Sequence, residues 1–445
     1  MRCFGTDGIR GSWGTDPITE DFFYHIGRAV GGYLESLGTP KSRSVLAGRD
    51  TRHSGKALEL AFAQGVSEFG FPIFSLGIMP TPAIARYTKE NKGILGVAIT
   101  ASHNPPSDNG IKFFNHLGCK LSINQETVIE KWIYNTSKRP KPRDYNKIAE
   151  INDGSREYID GIKKSFSKLF LKGKKVILDC SHGATSTTSP MILKTLGADL
   201  ITLNHHPNGF NINTDCGSEN PEITIKKVID ENATIGLAHD GDGDRIIFSD
   251  ETGSLVNGDE ILGILAVAKK MENPNFDTLV VTQQSNTGLD HSLEKLGIAV
   301  VRTDIGDRFV ATKMREIGSS VGGESSGHII LSDFSPTGDG IVAALQILSV
   351  MEQRKMSLSE LRKAIRLYPQ VSKNIFIKHK PPLVSCLPIL DCKKEIEESF
   401  NKRGRVLIRY SGTEPKLRIL VECSERHLAN QALQKLATVS VRCLT

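Results

Sequence analysis

The sequence predicts an α/β protein, with three similar mixed α/β domains followed by a smaller C-terminal α+β domain. Three observations lead there. A short β-branched strand, a polar or glycine-rich turn and an amphipathic helix recur as a unit three times along the chain. After "LYPQVSKNIFI" that grammar stops, and "GRVLIRYSGTEPKLRILVEC" (404–423) reads as two strands around a turn, followed by a helix. The length, 445 residues, exceeds what one core can fill and suggests three or four domains.

The elements follow in order. The first unit has a strand at "SVLAGRD" (44–50), a helix from about Ser54 to Phe69, then the strands "PIFSLG" and "GILGVAIT" (93–100). The second has "KKVILDC" (174–180), a helix through "SPMILKTLG", "DLITLN" and "TIGLAHD" (234–240). The third has "DTLVVTQ" (277–283), a helix around "LDHSLEKLG", "IAVVRTD" and "SVGGESSGHIIL" (320–331). Such alternation implies mostly parallel sheets with right-handed crossovers. Domain boundaries are expected at 1–150, 151–255, 256–368 and 369–445.

Composition excludes several classes. The residues are 39% hydrophobic and 24% charged, ordinary for a globular chain. No apolar stretch approaches the ~18 residues that span a bilayer, so no membrane is expected. The net charge of +6 suits small anionic ligands, but no dense Lys/Arg block marks a nucleic-acid surface. The most basic run, "SKRPKPRDYNK" (137–147), carries two prolines and reads as an exposed linker. Eight cysteines, with no C-x-x-C pair, read as scattered free thiols. The start "MRCFGTDGIRG" lacks the charged-then-apolar order of a secretory signal, so the cytoplasm is expected.

Polar residues gather at strand ends, where ligands of such sheets bind. In "ITASHNPPSDNG" (99–110), Ser102 and His103 follow a buried strand and precede Pro105 and Pro106, which stiffen the loop. In "HDGDGDR" (239–245), Asp240, Asp242 and Asp244 alternate with Gly241 and Gly243. The glycines let three carboxylates converge, and all-oxygen ligands suit a hard cation such as Mg²⁺, with Arg245 alongside. "RYSGTEPKLR" (409–418) mixes Arg409, Ser411, Gly412, Thr413 and Arg418, the charged and neutral donors that phosphate oxygens want.

Weaker stretches add to these. "GGESSGH" (322–328) offers Glu324 and Ser326 for sugar hydroxyls and His328 beside them. Arg10 in "GTDGIRG" and Lys112 in "DNGIKFF" are candidate active-site cations, whereas Arg49 and Arg52 in "GRDTRHSG" read equally as ordinary surface charge. A stiffly presented serine can carry a phosphoryl group if base and charge are at hand. Lys112, His103, Arg10 and His328 are the available proton handlers and cations.

Taken in order, "GTDGIRG", "TASHNPPSDNGIKFF", "DGDGDR", "GGESSGH" and "RYSGTEPKLR" make the chain resemble the α-D-phosphohexomutase superfamily over essentially its whole length. "IMPTPAIA" (78–85) and "GDRFVATKM" are most similar to a bacterial branch that works on glucosamine phosphates. Mannose or glucose phosphates, or a non-catalytic sugar-phosphate sensor, are the alternatives. That branch usually carries glutamine where this chain has Ser325. The resemblance implies four domains around a central cleft, one loop from each. It implies that Ser102 carries the phosphoryl group and that Ser102, Asp240, Asp242 and Asp244 hold Mg²⁺. Glu324 and Ser326, with Arg245 beside them, would bind the sugar, and Arg409, Ser411, Gly412, Thr413 and Arg418 its resting phosphate. The partner implied is a small-molecule sugar phosphate, with a hexosamine 1,6-bisphosphate as intermediate and activator. A homodimer is left open.

Overall fold

The structure is a computed structural model that describes residues 3–135, 148–411 and 415–444. The basic run 137–147 lies outside the described residues. Two compact units form: Met1–Gln284 with Val301–Leu361, and Ser285–Val300 with Arg362–Thr445.

The first unit begins with β1 (Ile9–Ser12), α1 (Glu20–Ser36), β2 (Val45–Arg49), α2 (Gly55–Ser67), β3 (Ile73–Ile78), α3 (Thr81–Glu90), β4 (Leu95–Ile99), β5 (Asp108–Asn115), α4 (Ile123–Asn135) and β6 (Ala149–Glu150). Their strands line up as β1-β5-β4-β2-β3-β6. Thr19 starts α1 by accepting a hydrogen bond from the Phe22 amide at 3.2 Å, as expected of a threonine ahead of an acidic first turn. The helix then lays Phe23 and Ile26 over Phe62 of α2 and over Val97, Ile99 and Ile111 of the sheet. All of these are essentially inaccessible to solvent, so each contributes about 1.5–3 kcal/mol of burial.

The next segment has α5 (Gly154–Ser165), β7 (Lys175–Asp179), α6 (Thr188–Thr195), β8 (Asp199–Leu203), α7 (Glu222–Asp230), β9 (Ile235–His239), β10 (Ile246–Ser249) and β11 (Leu255–Val256), in the order β11-β10-β9-β7-β8. The third has α8 (Gly258–Glu272), β12 (Thr278–Thr282), α9 (Gly288–Glu294), β13 (Ala299–Thr303), α10 (Asp307–Ile317), β14 (Val321–Gly323), β15 (Ile329–Leu331), α11 (Gly340–Arg354) and α12 (Leu358–Leu361), with strands ordered β13-β12-β14-β15. Asn257 and Glu260 cap α8 reciprocally.

The sheets are mixed where the sequence suggested mostly parallel ones. The β2–β3, β2–β4, β7–β8, β7–β9 and β12–β14 pairs are parallel. β5 turns back antiparallel on β4, and β10 on β9. "SVGGESSGHIIL" is not one strand but two short antiparallel ones around a Glu324–His328 turn. The physical reason is common to all three places: the chain reverses at a short polar loop, and a short reversal pairs neighbours antiparallel.

In the second unit, β16 (Gln370–Phe376), α13 (Leu387–Ser399), β17 (Gly404–Tyr410), β18 (Lys416–Cys423) and α14 (Arg426–Leu444) form a sheet ordered β16-β18-β17. Ile389, Leu417, Ile419, Val421 and Leu436 fill its core. β16 was not expected, because as an edge strand it buries only Ile375 and shows no clear alternation. Residues 285–300, α9 included, belong here rather than with the third domain. Asn286 exchanges two hydrogen bonds with the Tyr368 backbone at 2.8 and 2.9 Å, and the Thr287 amide donates to Glu422 at 3.1 Å. All eight cysteines are free thiols. Among the described residues, no helix is long and apolar enough to cross a membrane.

Candidate active site

Ser102 sits one turn beyond β4 with φ 53°, a left-handed conformation that costs a serine about 1–3 kcal/mol and must be held from outside. Arg52 does much of that holding. Its Nε donates to Asp50 at 2.9 Å; Nη2 donates to the Ser102 and Asn104 carbonyls at 3.0 and 2.8 Å; Nη1 donates to the Asp108 carbonyl at 2.8 Å and to that of Pro105. All five guanidinium N–H groups are thereby used. Asn213 grips the same loop from the second segment, donating to the Ser102 and Asn104 carbonyls at 2.8 and 2.9 Å. Thr100 links the Ser102 amide (2.9 Å) to Asp50 (2.7 Å). Arg52 is thus a buried clamp, which corrects the surface-charge reading; Arg49 pairs with the buried Glu59.

The aspartate loop between β9 and β10 folds as its glycines predict. Gly243 has φ 76°, and a Cβ on Gly241 would lie 2.7 Å from the Ser102 carbonyl oxygen. That close approach sets Asp240 Oδ2 2.7 Å from Ser102 Oγ, which donates to it. The other Asp240 oxygen accepts from the Gly243 and Arg245 amides at 3.1 Å each. Asp242 Oδ2 accepts from Thr81 (2.6 Å) and Lys112 (2.8 Å), and Asp244 Oδ2 from Lys112 (2.8 Å).

One ligand oxygen from each aspartate lies within 4.8 Å of the others, and all three residues are buried. Among the described residues, Asp242 Oδ1 and Asp244 Oδ1 accept no hydrogen bond, and the latter lies 3.5 Å from His328 Nδ1. Burial first, then the Asp242 and Asp244 charges, push the Asp240 carboxyl well above its ordinary range. Buried carboxylate oxygens that accept no hydrogen bond, beside a carboxyl that resists ionising, fit a hard divalent cation.

Strand pairing brings further charge to this point. β1 against β5 sets Arg10 opposite Gly110, and β5 carries Lys112 inward. Lys112 also meets Asp7 at 3.1 Å; Lys120 bridges Asp7 and Asp307, the latter at 2.6 Å. Arg10 pairs with Asp7 as well. His328 stands 3.5 Å from Asp244 and 3.1 Å from Asp307. Burial would lower its pKa, but those two carboxylates outweigh it and raise the ring to about 10. Lys112 is likewise raised despite burial, by Asp242 and Asp244. Both side chains are therefore held as cations. His103 differs: burial, then Arg245 and Arg10, pull it down to about 4, leaving a neutral ring whose Nδ1 is 3.4 Å from Ser102 Oγ. In the β14–β15 turn, Glu324 accepts from the Gly306 amide at 3.2 Å and is raised by burial, while the half-buried Ser326 side chain makes no hydrogen bond among the described residues.

Sequence reasoning missed Asp7, Lys120, Asp307, Asn213 and Thr81. Asp7 lies inside the quoted "GTDGIRG", Thr81 inside "IMPTPAIA" and Asp307 inside "GDRFVATKM", and all three could have been found there; Lys120 and Asn213 come from stretches with no local motif.

In the second unit, Arg409 and Arg418 face each other directly across β17 and β18, both exposed. Two cations in such a pair repel unless an anion lies between them. Arg418 reaches the Ser411 hydroxyl at 3.5 Å, and Lys380 donates to the Ser411 carbonyl at 2.8 Å. Gly412 and Thr413 lie outside the described residues.

With this geometry in view, four family models match the chain in order. They are the phosphoglucomutase/phosphomannomutase alpha/beta/alpha domains I (residues 1–140), II (156–253) and III (257–368), and the C-terminal domain (349–439). The chain belongs to the phosphoglucomutase/phosphomannomutase family, within the phosphohexomutase superfamily. A curated relative, the phosphoglucosamine mutase of Actinobacillus succinogenes, is 43% identical over 438 residues, 98% of each chain. Two solved structures share the fold. A phosphoglucomutase/phosphomannomutase family protein from Burkholderia thailandensis has a TM-score of 0.81 at 22% identity, covering 99% of this chain and 97% of its own. The N-acetylphosphoglucosamine mutase of Aspergillus fumigatus, solved with GlcNAc-6P and magnesium, has a TM-score of 0.67 at 16% identity, covering 100% and 96%.

Proposed function

We propose that this protein is an intramolecular phosphotransferase that interconverts glucosamine 6-phosphate and glucosamine 1-phosphate. The observation that carries the reading is the Ser102 hydroxyl, presented on a clamped left-handed turn 2.7 Å from a buried three-aspartate cluster. Full-length likeness to phosphoglucosamine mutases supports the choice of sugar.

Positions 1 and 6 of a hexose are too far apart for direct transfer, so Ser102 must lend a phosphoryl group and take one back. In the first half-reaction the P–O bond to Ser102 Oγ breaks as one forms to the free sugar hydroxyl, whose proton ends on the serine. The bisphosphate then reverses, and Ser102 Oγ attacks the other phosphorus as its P–O bond to the sugar breaks, the serine proton ending on the sugar oxygen. The loose transition state asks little of a base. With Asp240 assigned to the metal, neutral His103 Nδ1, 3.4 Å from Ser102 Oγ, is the remaining proton acceptor at the serine, whereas Lys112 and His328 are held as cations. Those two side chains, with Arg10 and Arg245, stabilise negative charge instead. Ser102, Asp240, Asp242 and Asp244 would hold Mg²⁺, which when bound supplies charge neutralisation for the transferring group. Glu324 and Ser326 would orient sugar hydroxyls. In the second unit, Arg409, Ser411 and Arg418, with Gly412 and Thr413, are assigned to the phosphate that stays.

Two measurements test this. Ser102→Ala should lose both the acid-stable phosphoserine and several orders of magnitude in turnover; wild-type turnover in that variant overturns the carrier role. Side by side, glucosamine 6-phosphate should exceed mannose 6-phosphate and glucose 6-phosphate in kcat/KM, and a preference for either of the latter overturns the sugar assignment.

A further inference from the structure

At the other end of the second unit's sheet lies a cavity that the reaction does not use. It measures about 440 Å³, within the range of small-molecule sites. Lys295 of the α9 segment, Lys363 and Arg366 ahead of β16, and Arg403 just before β17 line it. None of these four side chains makes an ion pair or hydrogen bond among the described residues. Ordinary surface cations at this density find carboxylates, as Lys393 and Lys435 do on the same unit. Here the one carboxylate among the described lining residues is Glu425, which sits 3.6 Å from His427.

The walls are built rather than incidental. The Arg366 amide donates to Ser292 Oγ at 2.9 Å, and the Ser424 amide donates to the Arg403 carbonyl at 2.9 Å. These bonds tie the separate chain segments that carry Arg366 and Arg403. His291 stacks on the buried Tyr368 with centroids 5.6 Å apart, and its Nε2 donates to the Lys402 carbonyl, 2.9 Å away. The floor is therefore rigid and aromatic. Arg403 and Arg409 lie at opposite ends of β17, so this cavity is about 20 Å along the strand from the 409–418 anion cradle. It is a separate site on the same unit.

We propose that this cavity binds a small diphosphate anion. Two guanidinium forks match phosphate oxygens bidentately, and two ammonium groups add compact charge, a total that exceeds what a single phosphate would neutralise. Free pyrophosphate and the diphosphate of a nucleotide share this chemistry. The inference does not depend on which sugar the enzyme takes, or on whether it is an enzyme.

The test is calorimetric titration of the full chain with pyrophosphate, with ADP and with inorganic phosphate at low salt. Pyrophosphate or ADP should bind saturably and at least about tenfold more tightly than inorganic phosphate. Arg366→Gln with Arg403→Gln should weaken that binding by about tenfold or more, and Lys295→Gln with Lys363→Gln should weaken it independently. Arg418→Gln should leave it intact. These are exposed side chains, so the variants should keep the wild-type circular dichroism. Tighter binding of ADP than pyrophosphate would identify the nucleotide as the source, and the reverse order the free anion. No saturable binding, or binding lost in Arg418→Gln and kept in the other variants, would overturn the proposal.

Discussion

Replacing Arg52 by lysine keeps the positive charge but removes the fork, and the cost can be worked from its contacts. The guanidinium spends five N–H donors on Asp50 and on the carbonyls of Ser102, Asn104, Pro105 and Asp108. An ammonium has three, so at least two charge-assisted bonds disappear from a fully buried place. At about 1.5–3 kcal/mol each, the loss is ~3–6 kcal/mol. The remaining grip on Ser102 comes from Asn213, which holds two carbonyls but not the turn at 105–108. Relaxation of a strained φ 53° serine by even ~1 Å costs on the order of 100-fold in rate. Arg52→Lys should therefore lower the unfolding temperature by at least ~5 °C and kcat by roughly 100-fold, with KM little changed. Differential scanning calorimetry and steady-state mutase assays read both. Arg49→Lys is the control: it pairs with Glu59 away from the serine, and kcat should hold. An Arg52→Lys enzyme with wild-type kcat would refute the reasoning, because the clamp would then be dispensable for presenting the hydroxyl.

Other outcomes follow from the same geometry. Asp339 caps α11 and accepts a hydrogen bond from Tyr158 at 3.0 Å; burial pushes its carboxyl from 3.8 to about 6. A raised carboxyl favours the proton when folded, so its penalty of about 3 kcal/mol is full above about pH 6 and vanishes below pH 3.8. Asp339→Asn should therefore gain stability over the wild type as pH rises from 4 to 7, and a pH-independent difference in melting temperature would contradict this. A chelator should abolish turnover and Mg²⁺ restore it, since three buried aspartates converge there and Asp242 Oδ1 accepts no hydrogen bond among the described residues; indifference to chelator would reject the metal site. Arg418→Ala should raise KM for the monophosphate while leaving the phosphoserine content of purified protein unchanged, which mass spectrometry would show.

What could be read in advance was what the chain states locally. The three aspartates converge because their glycines are adjacent in sequence, and the serine loop is stiff because Pro105 and Pro106 follow it. Such features survive without knowledge of the fold. Arg52 was ambiguous for the opposite reason: its value lies in four carbonyls, all of them 50 to 56 residues onward, and nothing near it in sequence distinguishes it from a surface arginine. Lys120 was invisible on the same ground, and the role of Asp307, though it stands in the quoted "GDRFVATKM", was not legible there, since each makes sense only when α10 reaches the first sheet. The antiparallel returns at β5, β10 and β15 escaped notice because alternation of strand and helix says how often the chain crosses a sheet, not which way a short reversal runs. β16 escaped because an edge strand with one buried residue carries no period to read.

The passage of residues 285–300 into the second unit carries a practical lesson about where this molecule can be cut. A fragment starting at 369 would keep β16, β17 and β18 but leave behind α9, Asn286 and Tyr368, and so expose the buried Glu422 carboxylate without its Thr287 partner. Homology blocks and compact units are thus different parcels of this polypeptide. An isolated C-terminal module that keeps its native contacts would have to be engineered by splicing the 285–300 stretch onto it, not by truncation.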